Sequence, residues 1–255
     1  MNRGRLWNMM DRQKASYRRS MKPVFIKAFD QQIQPLWDKI KQSSDIRDIE
    51  VPPLNNKPIE EAYTKLYLAT TIDFARAKRK WLQRRLLKSE DEIFEDLIMQ
   101  KIKTYLRQNA GATVTAAGDT SVELIRQLLK KITPEILDQG LGAGAAQTML
   151  RDRIGSAWHE MKYFRTERIV RTEVNRAANF GNLEGTISLG VPMQKIWLSA
   201  FSQHSRKEHM AADAQAVDLE MTFNVGGESL KYPGDPVGSP ANTINCLCNF
   251  YEKLK

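Results

Sequence analysis

The sequence predicts an α+β protein with a mainly helical N-terminal half, further helices in the C-terminal part, and a small antiparallel sheet after them. Three observations lead there. Apolar residues from Met21 to Ser188 recur at helical spacing. Capping boxes and first-turn prolines punctuate those runs. Beyond Gly190-Val191-Pro192 the period shortens to that of strands bounded by Gly or Pro.

Taken in order, residues 1–20 have little apolar content beyond Leu6, Trp7, Met9 and Met10, and predict a flexible basic arm. A helical N-terminal domain, 21–110, opens with Val24, Phe25, Ala28, Phe29, Ile33, Leu36, Trp37 and Ile40 on one helical stripe, which Pro35 kinks or divides. Val51-Pro52-Pro53 and Asn55 to Pro58 form a turn-rich connection, with Pro58 suited to a first helical position. A long helix follows over 59–87, and Ser89 with Glu92 makes a capping box for another, to about Arg107. Small, uncharged residues from Asn109 to Gly118 predict a domain break, a linker over 111–119. The domain beyond it, 120–255, holds helices over 120–190, opened by a Thr120/Glu123 capping box, and a small α+β part over 191–255. Its strands are expected at 195–199, 221–225 and 243–251, with a helix at 203–213. Gly140-Leu141-Gly142-Ala143-Gly144 follows a helix and lacks the Lys-Ser/Thr of a phosphate loop, so nucleotide binding is not expected there.

The net charge is +9 over 255 residues, unevenly spread: residues 200–255 hold five basic against seven acidic side chains. The whole excess therefore precedes residue 200, and contact with a polyanion is expected in the N-terminal half. Arg76, Lys78, Arg79, Lys80, Arg84 and Arg85 are the candidate nucleic-acid-binding residues, the alternative being a solvated helix face. No apolar run is long enough for a membrane span and no secretory signal is visible, which predicts a protein with no membrane partner that stays where it is made. The two cysteines, Cys246 and Cys248, are too close in sequence for an unstrained disulfide, and fit a reducing cytoplasm.

His209 and Asp213, four apart on a predicted helix, share a face, as do Cys246 and Cys248, two apart on a predicted strand. Thiolate, imidazole and carboxylate together suit zinc, in a closed four-ligand site that would support a small sheet. The alternative makes the cysteines small hydrophobes and His209 a hydrogen-bonded core residue. Arg171 and Glu173 are expected to form an internal ion pair or a link to a neighbouring strand, with Asn175 and Asn179 tying their helix to a loop. No nucleophile elbow, His-Glu-x-x-His or isolated acid pair is present, so no catalytic residue is assigned and the chain is expected not to be an enzyme.

The ordered set Arg171-Thr172-Glu173, Gly190-Val191-Pro192, Trp197, His209 with Asp213, Tyr232-Pro233-Gly234-Asp235-Pro236, and Asn245-Cys246-Leu247-Cys248 resembles the minor head proteins of tailed bacteriophages named after the F protein of phage Mu. The resemblance covers roughly 120–252, with Arg171, Glu173, Trp197 and Asn245 as its structural motif residues. Ala214 and Leu247 stand where that family usually has Gly and Arg. It implies a minor capsid, head-morphogenesis protein that joins the procapsid at the portal vertex. The implied partners are the portal protein, capsid or scaffold proteins and, without sequence preference, double-stranded DNA. The implied location is the virion interior, and the host cytoplasm during assembly. Some relatives carry a toxin or transferase domain after the Cys-x-Cys motif; with seven residues beyond Cys248, none is expected here. The alternative function is a zinc-dependent nuclease or hydrolase centred on His209, Asp213, Cys246 and Cys248. A cellular DNA-binding regulator is disfavoured by the lack of helix-turn-helix or zinc-finger spacing.

Overall fold

The computed structural model describes residues 2–86 and 94–255. The expected Ser89/Glu92 capping box and the side chain of Arg85 lie outside the described residues. The fold is α+β: among the described residues the helices α1 (Arg3–Gln32), α2 (Gln34–Gln42), α3 (Lys57–Leu86), α4 (Phe94–Leu137) and α5 (Ala143–Ile187) precede the strands. Strand β1 (Met193–Leu198), helix α6 (Lys207–Ala211), strands β2 (Ala216–Asp218), β3 (Phe223–Val225) and β4 (Glu228–Leu230), helix α7 (Pro240–Thr243) and strand β5 (Asn249–Leu254) follow. One sheet has the order β2-β1-β5 and the other pairs β3 with β4, all antiparallel. Among the described residues no helix is long and apolar enough to cross a membrane.

Two compact units divide the chain, one made of Met1–Met21, Thr64–Gln108 and Arg168–Lys255, the other of Lys22–Tyr63 and Asn109–Glu167. Each of α1, α3, α4 and α5 gives a stretch to both, so the consecutive domains expected at 21–110 and 120–255 are replaced by interleaved ones. The linker expected at 111–119 is helix within α4. Its alanines favour a helix, while Thr113 and Thr120 return their hydroxyls to the carbonyls of Asn109 and Ala116. Small size there serves packing: a Cβ on Gly118 would stand 2.7 Å from Asn56 Oδ1. Thr120 is accordingly not an N-cap.

From Arg3 onward the basic arm expected at 1–20 is also helix, the first part of α1. Arg3, Trp7, Met10, Lys14, Tyr17 and Met21 alternate steps of four and three residues, which puts them on one stripe. Met10 and Met21 are 5% exposed and Lys14 is fully buried, so this stripe is packed although half of it is polar. Pro35 divides the following helix as expected, α1 ending at Gln32 and Pro35 occupying the first turn of α2.

In the first unit α5 crosses α3 at very short range. A Cβ on Gly185 would stand 2.5 Å from Ala75 O, and one on Gly181 would collide with Thr71 O. Only glycine lets the two backbones approach this closely. Gly190, at φ +61°, then turns the chain out of α5 toward β1.

Candidate metal centre

Polar contacts tie the C-terminal part of α5 to the segments that follow it. Thr172 Oγ1 accepts the Asn245 N–H at 2.9 Å. Asn175 and Asn179 donate to Cys248 O at 3.3 and 3.1 Å, and Asn179 also donates to Pro233 O at 2.9 Å. Arg176 donates to Gly234 O at 2.7 Å, and Gly234, at φ +88°, brings the Pro-Gly-Asp-Pro loop against it. Glu173 takes Arg176 as its ion partner at 2.9 Å, not Arg171, which is half-buried. Residues three apart on a helix are neighbours, and residues two apart are not. Tyr67 of α3 donates to Glu173 at 2.6 Å. Burial, reinforced by the charge of Glu173, pushes the Tyr67 phenol well up, so it remains a donor.

His209, Cys246 and Cys248 come together in the interior, 2, 2 and 3% exposed, with one ligand atom from each within 4.8 Å of the others. His209 Nδ1 lies 3.7 Å from Cys246 Sγ and 3.5 Å from Cys248 Sγ. The cysteines are not on the expected strand: Asn245, at φ +58°, ends α7, and Cys246 to Cys248 form an irregular run before β5. Trp197, fully buried on β1, packs its ring edge-on against His209 at 5.7 Å and against Phe223 at 5.2 Å. A hydrogen bond from Cys246, aided by His209, holds the Cys248 thiol well below its ordinary range, while the shared proton and burial push Cys246 well up. The pair thus favours one thiolate beside an imidazole, a donor set that suits a divalent metal of the zinc type.

Asp213, expected as the fourth ligand, is elsewhere. Its Oδ1 accepts the Ser199 N–H at 2.8 Å and Arg3 Nη2 at 2.7 Å. The helix that carries His209 closes at Ala211, so Asp213 lies beyond its end and the spacing of four does not put both side chains on one helical face. Ser199 Oγ, in contrast, is 3.9 Å from Cys248 Sγ.

The start of α1 completes this region, which was not legible as part of it. Arg3 also donates to Trp197 O at 2.9 Å and Tyr251 OH at 3.0 Å. Trp7 Nε1 donates to Leu247 O at 2.9 Å. Lys14 donates to Asn175 Oδ1 at 2.6 Å and to Asn249 Oδ1, and burial brings its ammonium down to about 7. The polar members of the α1 stripe were the available signal. Ala214, at φ +65°, sits where the left-handed backbone favours the glycine of the resembled family.

Three of the six candidate nucleic-acid-binding residues are engaged within the fold. Arg79 is buried and donates to Ser188 O at 3.0 Å; Lys78 pairs with the buried Glu252 at 2.9 Å; Arg76 pairs with Glu95 at 2.5 Å. Lys80 and Arg84 are exposed.

One curated protein, the NAD(+)--arginine ADP-ribosyltransferase EFV of Enterococcus faecalis, is 31% identical to the chain over 96 residues, which are 36% of this chain and 20% of that protein. The chain thus spans about a fifth of that relative's length. No family model matches the chain, and no solved structure does. The expectation that the chain is not an enzyme is overturned by this likeness, because the similar protein is named as one.

Proposed function

We propose that the chain is a bacteriophage minor capsid, head-morphogenesis protein that acts at the portal vertex during procapsid assembly, with a zinc ion held by its C-terminal module. What supports the reading is convergence: Thr172, Glu173, Trp197, His209, Gly234, Asn245 and Cys248, spread over the motifs that resemble phage Mu F-like minor head proteins, belong to one connected set of contacts. In this reading the module is a rigid docking piece and the zinc ion has a structural role, which fits ligands buried away from water better than zinc-dependent hydrolysis does. Portal, capsid or scaffold proteins are its partners in the virion interior.

Recovery of tagged protein with portal from assembling heads tests the proposal. Co-purification with portal supports it, and recovery with neither portal, capsid nor scaffold contradicts it. Contact with double-stranded DNA is part of the reading and falls to exposed cations such as Lys80 and Arg84. Replacing both by Gln should lower the slope of log affinity against log salt by up to about 0.9 for each phosphate that is no longer neutralised.

A second reading rests on the likeness to the transferase, that the chain takes part in ADP-ribosyl transfer from NAD+ to arginine. Label transferred from labelled NAD+ to an arginine-rich acceptor would support it, and an unlabelled acceptor would leave it without support.

A further inference from the structure

We infer that Ser199, and not Asp213, supplies the fourth ligand to a metal held by His209, Cys246 and Cys248. The inference rests on the metal reading of that site and goes beyond it in naming the coordination sphere.

The first reason is spacing. With bonds of about 2.3 Å to sulfur and about 2.0–2.1 Å to nitrogen or oxygen, a sulfur and a nitrogen or oxygen on one tetrahedral zinc stand roughly 3.6 Å apart. The separations from His209 Nδ1 to the two sulfurs are 3.7 and 3.5 Å, and Ser199 Oγ stands 3.9 Å from Cys248 Sγ. Three edges of a tetrahedron are therefore close to their metal-bound lengths. Ser199 is 3% exposed, so its hydroxyl is an interior group, and the backbone of its neighbour Ala200 hydrogen-bonds to Cys248.

The second reason is charge. Two thiolates neutralise a divalent cation, and a third anionic ligand would leave a net negative charge in the interior, which is costly. A serine hydroxyl adds a donor without adding charge. The charge of Asp213 is matched by Arg3 at 2.7 Å. Its other hydrogen bond, from Ser199 N at 2.8 Å, holds the end of β1 where the hydroxyl meets Cys248. Asp213 is thus a positioning residue that acts through Ser199 rather than on the metal.

Cobalt(II) and zinc titrations of the full chain and three variants test this. Ser199→Ala should weaken metal binding by about ten-fold or more, the range seen when even a group that only orients a ligand is removed. Ser199→Cys should retain the metal and raise the near-ultraviolet sulfur-to-cobalt absorption from that of two thiolates to that of three. Asp213→Asn keeps an oxygen for Ser199 N but gives up the charge paired with Arg3, so it should cost less affinity than Ser199→Ala and leave the sulfur-to-cobalt absorption that of two thiolates. Undiminished affinity in Ser199→Ala, or a greater loss of affinity in Asp213→Asn than in Ser199→Ala, would overturn the assignment while leaving a metal site in place. A wild-type chain that binds neither ion would overturn the assignment and the metal reading together.

Discussion

The two compact units differ in how much polarity their interiors hold, one of them adding many buried polar and charged groups to an apolar core of its own. In the unit formed by Lys22–Tyr63 and Asn109–Glu167, the interior is apolar: Phe25, Phe29, Ile33, Leu36, Ile125, Leu150, Ile154 and Trp158 are buried. Among its described residues Gln32, Ser121, Arg165 and Thr166 are the buried polar ones. The other unit buries Lys14, Arg79, Glu173, Asn175, Arg176, Asn179, Lys195, His209 and Asn249, among others. An apolar interior tolerates exchange of one hydrophobe for another, whereas each buried polar group depends on a named partner. The second kind of interior specifies positions, and the candidate site lies within it.

The contrast is most exposed to test at Glu173. Glu173→Ala leaves Arg176 charged and buried and removes the acceptor of Tyr67, which should cost about 3–5 kcal/mol. Ile132→Val in the apolar unit should cost only about 0.5–1.5 kcal/mol. Chemical denaturation of both variants measures the difference, and equal losses would erase the contrast.

A smaller effect concerns pH. Burial lowers Lys14 to about 7 and Lys195 to about 8, against an ordinary 10.5. Between pH 8 and 9 the unfolded chain therefore holds more protons on these lysines than the folded one, so stability rises with pH, and this gain is lost as pH falls through the folded values. Each lysine contributes at most about 1.4 kcal/mol per pH unit. Denaturation midpoints should climb over this window, and Lys14→Met should flatten the climb. A wild-type midpoint independent of pH would show that these lysines are not desolvated.

The smallest expected change is a gain. Ala214 holds φ +65°, so Ala214→Gly should raise stability by about 1 kcal/mol, seen as a higher melting temperature. An unchanged or lower one would mean that the turn is not strained.

The same contrast explains what was legible in the sequence. Helical stripes such as Val24, Phe25, Ala28 and Phe29 announced the apolar unit, because burial there follows the helical period. His209, Cys246 and Cys248 were legible as chemistry, since few residue types ligate metal. Arg3, Trp7 and Lys14 were not, because charge in a basic run resembles a solvated arm until its acceptors, Asp213, Leu247 O and Asn249, are known. The small residues of 109–118 resembled a linker because smallness serves both flexibility and close helix packing. Asp213 was misread as a ligand because spacing along a short helix does not reveal that Ser199 and Arg3 compete for its carboxylate.

The central claim, that the polar unit closes on a structural metal, is tested most directly by elemental analysis combined with thermal unfolding of the full chain purified without added metal. The account predicts close to one zinc per chain, a fall in melting temperature on chelation, and loss of both the zinc and the chelation effect when Cys246 and Cys248 are replaced together by Ser. A zinc-free chain whose melting temperature is indifferent to chelator would contradict it.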